Sequence, residues 1–139
     1  EYVGKVDGYT IIDDYAHHPN EIRATLDAAA RIEGVEKIIV IFQPHTYSRT
    51  KELLHGFSGA FGQANEVIVC DIYAAREVDP GDIHSKDLVK SLIKEGINAI
   101  HFENFNEIAL YIRSHAKPGD LVITMGAGDV TDLGKMLIK

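Results

Sequence analysis

Four short apolar runs, each separated from the next by a helix-length amphipathic stretch, constrain this chain more than any other feature. They are Ile38–Phe42, Val67–Ile72, Ala99–Phe102 and Leu121–Met125. All are rich in Ile and Val, and apolar residues occupy both alternating positions. That pattern suits strands buried on both faces, as in a parallel sheet covered by helices. Between them, Ile22, Leu26, Ala29 and Ala30 share a helical face, with Pro19 near the first turn. Leu53, Leu54, Phe57 and Phe61 share the next face, which Gly56 and Gly59 weaken as a helix. A third helix carries Leu88, Val89, Leu92 and Ile93, with Ser85 as the expected cap and Gly96 as the stop. Phe105, Ile108, Ala109 and Ile112 follow Asn104 as the fourth, and Val130, Leu133 and Leu137 form the last. Ahead of all these, Tyr2–Val6 and Tyr9–Asp13 flank Asp7-Gly8, a hairpin turn signal. The expected fold is α/β: a Rossmann-like three-layer sandwich, its sheet mostly parallel, with an amino-terminal β-hairpin. Residues 1–139 form one domain, enough for a single core.

Composition narrows the function classes. A net charge of −7 argues against nucleic acid as the main partner. No apolar run approaches the ~20 residues that span a bilayer, and the first residues show no signal-peptide pattern. The single cysteine, Cys70, lies in an apolar run and reads as a small buried hydrophobe in a reducing compartment.

Chemistry-bearing residues collect directly after predicted strands. Asp13 to Pro19, Gln43 to Arg49, Tyr73 to Glu77 and Gly126 to Asp129 all stand there. Ligands of open α/β sheets bind outside the carboxyl ends of the strands, so with parallel core strands at least three of these clusters meet on one edge, as one site. Asp13 and Asp14 suit either a cation or ribose hydroxyl, or turn and helix-entry chemistry, and alternation sends them to opposite faces. His17, His18 and His45 offer acid, base or anion-donor groups. A structural metal on this trio is disfavoured, because neighbouring histidines do not readily chelate one ion, so no metal site is expected. His45 and Arg49 stand at the expected start of a helix, where free N–H groups, the helix dipole and a guanidinium all favour an anion; the bland alternative pairs Arg49 with an acid such as Glu52. Gly126-Ala127-Gly128 lacks a third glycine, and Asp129 is expected to cap the last helix. No G-x-x-x-x-G-K-[ST] loop is present, so the phosphates of any nucleotide must be held by another segment. His55, His84, His101 and His115 show no partner pattern.

Asp14-Tyr15-Ala16-His17-His18-Pro19 resembles the signature of the third, carboxy-terminal domain of the Mur ligase family. The stretch Phe42 to Thr50, with Asp71 to Glu77 and Met125 to Asp129, is similar to the alanine-adding branch. The resemblance implies a bacterial cytoplasmic enzyme of peptidoglycan synthesis, of which this chain is the last of three domains. That enzyme would join L-alanine to UDP-N-acetylmuramate through an acyl phosphate, using ATP and Mg2+ held mainly by the middle domain, and the chain alone would be inactive. By the same resemblance Asp14 faces the nucleotide, His17 and His18 serve the catalytic centre, and Tyr15, His45 and Arg49 bind substrate. His45 and Arg49 would hold the L-alanine carboxylate. Glu77, Gly126 and Asp129 would line the cleft. Some members carry arginine where this chain has Thr46, which leaves more of the carboxylate to Arg49. A tripeptide-adding relative and a non-catalytic metal- or nucleotide-binding module are the alternatives.

Overall fold

A computed structural model describes residues 1–138. The elements are β1 (Tyr2–Val6), β2 (Tyr9–Asp14), α1 (Pro19–Ala30), β3 (Ile38–Phe42), α2 (Tyr47–Ser58), β4 (Glu66–Val69), α3 (Ser85–Lys94), β5 (Ala99–His101), α4 (Phe105–His115), β6 (Leu121–Met125) and α5 (Val130–Ile138). They build one six-stranded sheet in the order β1-β2-β6-β3-β4-β5. Only the β1–β2 hairpin is antiparallel; β2, β6, β3, β4 and β5 run parallel. The Asp7-Gly8 turn has positive φ at both residues, as a twist-matched two-residue hairpin turn requires.

The doubly apolar runs are explained by the layers. Along β3, Ile38, Val40 and Phe42 face α1, α2 and α3, whereas Ile39 and Ile41 face α4 and α5. Leu121, Ile123 and Met125 of β6 join the first layer and Val122 the second. Phe42 is fully buried, its ring 5.3 Å from those of both Phe57 and Phe61. Cys70 is buried, and burial pushes its thiol far above the ordinary range, as the reading of a structural cysteine requires.

Three local expectations need correction. The Val67–Ile72 run is strand only through Val69; the Cys70 N–H still reaches the Phe42 carbonyl, after which the chain leaves the ladder. The run Ala99–Phe102 is strand only to His101. Helix α3 is capped by His84, not Ser85. The His84 ring accepts the Lys86 N–H while Asp87 takes the His84 N–H, and the Ser85 hydroxyl turns inward to the Cys70 carbonyl.

Candidate functional site

Because β2, β6, β3 and β4 are parallel, the segments after them emerge on one edge. The loops after β3 and β6 leave toward opposite faces and open a crevice between them, the usual ligand position in such sheets. Across this edge runs a row of rings. Tyr15 lies edge-on to His17 at 5.3 Å, His17 is 5.8 Å from His45, and His45 stacks on Tyr73 at 5.6 Å. Three loops distant in sequence therefore meet as one surface.

Backbone bonds fix that meeting. His45 and Tyr73 form an isolated parallel bridge. The Tyr73 N–H donates to the Pro44 carbonyl at 2.9 Å, and the Thr46 N–H donates to the Tyr73 carbonyl at 2.8 Å. Thr46 is left-handed, with φ 64°, a conformation that costs a non-glycine residue about 1–3 kcal/mol and persists only where its surroundings over-determine it. Here its hydroxyl also accepts the Arg49 N–H, and its carbonyl accepts both the N–H and the hydroxyl of Thr50. Thr46 is thus the cap that aims the first turn of α2, and with it Arg49.

The helix N-terminus itself is not open to an anion. Glu77 accepts the N–H groups of Tyr47 and Ser48 at 2.7 and 3.1 Å and the Ser48 hydroxyl. These bonds, the Ser48 hydroxyl first, hold the Glu77 carboxyl below its ordinary range. Glu77 is therefore an internal anion that fills the place expected for a ligand. What remains for a ligand is side chains. Arg49 is exposed and, among the described residues, has no carboxylate within 4.0 Å; the alternative pairing with Glu52 does not form.

The other ends are closed from within as well. His18 caps α1, its Nδ1 accepting the Asn20 N–H, while Glu21 accepts the N–H groups of His17 and His18. This capping box commits one nitrogen of His18 to structure. His17 keeps Nδ1 on the Tyr15 carbonyl at 3.0 Å, which leaves Nε2 as the free acceptor of the neutral ring. Asp129 does not cap α5. Its carboxylate accepts the Gln43 amide at 2.6 Å, and the Gln43 oxygen takes the Val130 N–H. Gln43, unremarkable in sequence, is thus the residue that joins the β3 and β6 loops. A Cβ at Gly128 would lie 2.5 Å from that Gln43 oxygen and 2.6 Å from the Tyr73 ring, so this turn admits only glycine. Buried Gly126 shares the crevice wall, 2.9 Å from the Gln43 carbonyl by the same construction. Asp13 and Asp14 do diverge: Asp13 accepts the Thr124 hydroxyl at 2.6 Å, and Asp14 the Ala16 N–H and the Thr25 hydroxyl.

His45 is the electrostatic centre of the row. Burial, then His17 and Arg49, lower its pKa from the ordinary 6.5, against an opposing pull from Glu77. Its Nδ1 is buried without a partner. At neutral pH the ring is neutral. An NMR titration of the His45 ring is expected to give a midpoint below 6.5, and Arg49→Gln to move it upward; a wild-type midpoint at or above that value contradicts the site's electrostatics. Because the unfolded chain takes up this proton first, the contribution to stability is complete above the ordinary imidazole value and is lost as pH falls through it toward the folded value.

An open α/β sheet thus presents, at the carboxyl ends of its strands, a ring-lined surface, an exposed guanidinium with no carboxylate partner among the described residues, and helix ends capped from within. The chain belongs to the Mur ligase family: the model for the Mur ligase glutamate ligase domain matches residues 1–128. It is 50% identical over 139 residues to the UDP-N-acetylmuramate–L-alanine ligase of Agathobacter rectalis and 48% identical to that of Caldanaerobacter subterraneus, with 100% of this chain aligned in each. It spans about 30% of the length of these curated relatives. The crystal structure of UDP-N-acetylmuramate–alanine ligase from Thermotoga maritima superposes with a TM-score of 0.75 at 32% identity, over 95% of this chain and 26% of that one. A murein peptide ligase from Psychrobacter arcticus gives 0.81 at 20% identity, over 99% and 28%, a likeness of fold. Among the described residues, no helix is long and apolar enough to cross a membrane.

Proposed function

We propose that this chain is the amino-acid-binding domain of a bacterial ATP-dependent ligase that joins L-alanine to UDP-N-acetylmuramate in the cytoplasm. The observation that carries the proposal is Arg49, exposed and without a carboxylate partner among the described residues, on a helix aimed by Thr46 and beside neutral His45 of the ring row. A guanidinium binds a carboxylate through two parallel hydrogen bonds. An amino acid held there presents its amine toward Tyr15 and His17, where an activated muramoyl carboxyl would be attacked. His17, with Nε2 free, is placed to accept the proton the amine gives up; His18, committed to α1 through Nδ1, offers only Nε2 to the cleft. Such a reaction depends on positioning and charge stabilisation rather than on a protein nucleophile.

The residues present do not fit the phosphates of ATP. His18 bonds N–H groups in the first turn of α1, Glu77 and Thr46 those of α2, and Gln43 takes the first N–H of α5. Asp13 and Asp14 point apart, so they do not form a carboxylate pair for Mg2+. Asp14 is left to meet the nucleotide at its ribose. In this proposal the phosphates and the metal belong to the remaining two thirds of a longer enzyme, and this chain alone catalyses nothing.

The test is phosphate release by the full-length enzyme with ATP, Mg2+ and UDP-N-acetylmuramate, comparing L-alanine, glycine, L-serine and the stem tripeptide as acceptors. Release dependent on L-alanine is expected. Release with the tripeptide alone moves the enzyme to the tripeptide-adding relative, and release with none of them defeats the proposal.

A further inference from the structure

Asp71, His84 and His101 lie outside the ring row and are used by nothing in the reaction above. Three separate elements bring them together: Asp71 follows the end of β4, His84 is the N-cap of α3, and His101 closes β5. One donor atom from each lies within 4.8 Å of the other two. The Nε2 of His101 is 2.6 Å from Asp71 Oδ1, and that of His84 is 4.0 Å from the same oxygen. Ligands bound tetrahedrally to one zinc ion stand about 3.3 Å apart, so the two spacings straddle the required one and small rotations of the two exposed side chains reconcile them. The rings of His84 and His101 meet edge-on at 5.0 Å. The His101 side chain is only 6% exposed, whereas those of Asp71 and His84 are 53% exposed. One ligand is thus fixed in the protein and two face solvent, the arrangement of a site that an ion can enter.

We propose that Asp71, His84 and His101 bind a borderline divalent transition metal ion of the zinc class. Two imidazoles and one carboxylate select zinc, cobalt or nickel over magnesium or calcium, which require oxygen ligands. Three protein donors leave a coordination position for water or an outer ligand. The site carries a signature of its own. In the metal-free protein the His84 Nδ1 accepts the Lys86 N–H at 3.0 Å, which puts the proton of the neutral ring on Nε2. Metal binding needs Nε2 unprotonated, so the proton moves to Nδ1 and the Lys86 N–H loses its acceptor. Asp87 keeps the His84 N–H and so holds the other half of the cap.

The test is calorimetric titration of the 139-residue chain with zinc chloride, with NMR of the histidine rings and of the Lys86 amide. One-to-one micromolar binding is expected, with shifts at His84 and His101 and faster exchange at Lys86. Asp71→Asn and His84→Asn are each expected to weaken binding about tenfold or more; asparagine is itself a strong N-cap, so the second change deletes the ligand and spares α3. His17→Gln is expected to leave zinc binding intact. No saturable binding, binding that survives both Asp71→Asn and His84→Asn, or binding lost with His17→Gln overturns the proposal. None of these outcomes depends on the ligase activity.

Discussion

Arg49→Ala in the full-length enzyme is expected to raise the KM for L-alanine by about 10- to 100-fold, with the KM for ATP unchanged. The magnitude is that of charge-assisted hydrogen bonds, about 1.5–3 kcal/mol, at roughly tenfold per 1.4 kcal/mol. Arg49 has no competing internal partner among the described residues, so its loss leaves no buried charge behind. Arg49→Lys is expected to recover only part of the effect, because an ammonium keeps the charge but not the fork. Glu77→Ala is the informative companion. If Glu77 only clamps α2, its removal disorders Arg49 and raises the same KM. If the substrate carboxylate displaces it, its removal lowers that KM. Unchanged alanine kinetics in Arg49→Ala would defeat the assignment of the carboxylate to this side chain.

Phe42→Ala is expected to destabilise the domain by about 3–5 kcal/mol, as for other buried aromatics cut to alanine. The ring is wedged between Phe57 and Phe61 at equal centroid distances of 5.3 Å. Phe57 is held by α2 and Phe61, which the sequence pattern put on the same helix, stands three residues beyond its end at Ser58; both are fully buried themselves, so a cavity is expected to stay open. Urea unfolding followed by circular dichroism measures the loss, since the chain has no tryptophan; the midpoint falls and the slope stays constant. Gln43 follows directly in sequence, so the same variant loosens the junction of the β3 and β6 loops. A loss below about 1 kcal/mol would mean that the cluster collapses around the gap.

The layers were legible in the sequence because burial on both faces of β3 and β6 leaves a five-residue run with no polar alternation, and its length and Ile/Val content favour a covered strand over a buried helix. The meeting of at least three loops on one edge was legible too, because it follows from parallel core strands alone; that the loop after β2 joins them depends on β2 pairing parallel with β6. What was not legible is which side chain each backbone N–H chooses. Glu77 reaches α2 across 29 and 30 residues, and Gln43 reaches α5 across 87. Those choices depend on how closely two loops approach, which no local pattern encodes. Local pattern favours Ser85 over His84 as a cap, because serine is a common N-cap; the buried Cys70 carbonyl, 15 residues away, takes that hydroxyl instead. His101 had no neighbour in sequence to mark it, since its partner Asp71 stands 30 residues earlier.

The position of β6 has a consequence for how this chain comes into being. The sixth of the sheet's six strands in chain order is also the one between β2 and β3. During synthesis the hairpin segment and the β3, β4 and β5 segments are all made before the strand that joins them, so until then the inner edges of β2 and β3 have no partner. The nascent domain then becomes whole in one late step, when Leu121–Met125 clears the exit tunnel and slides into the gap. A chain stalled a few codons short of that segment is two halves of a sheet with unpaired edges, a substrate for chaperones and proteases rather than a smaller version of the fold.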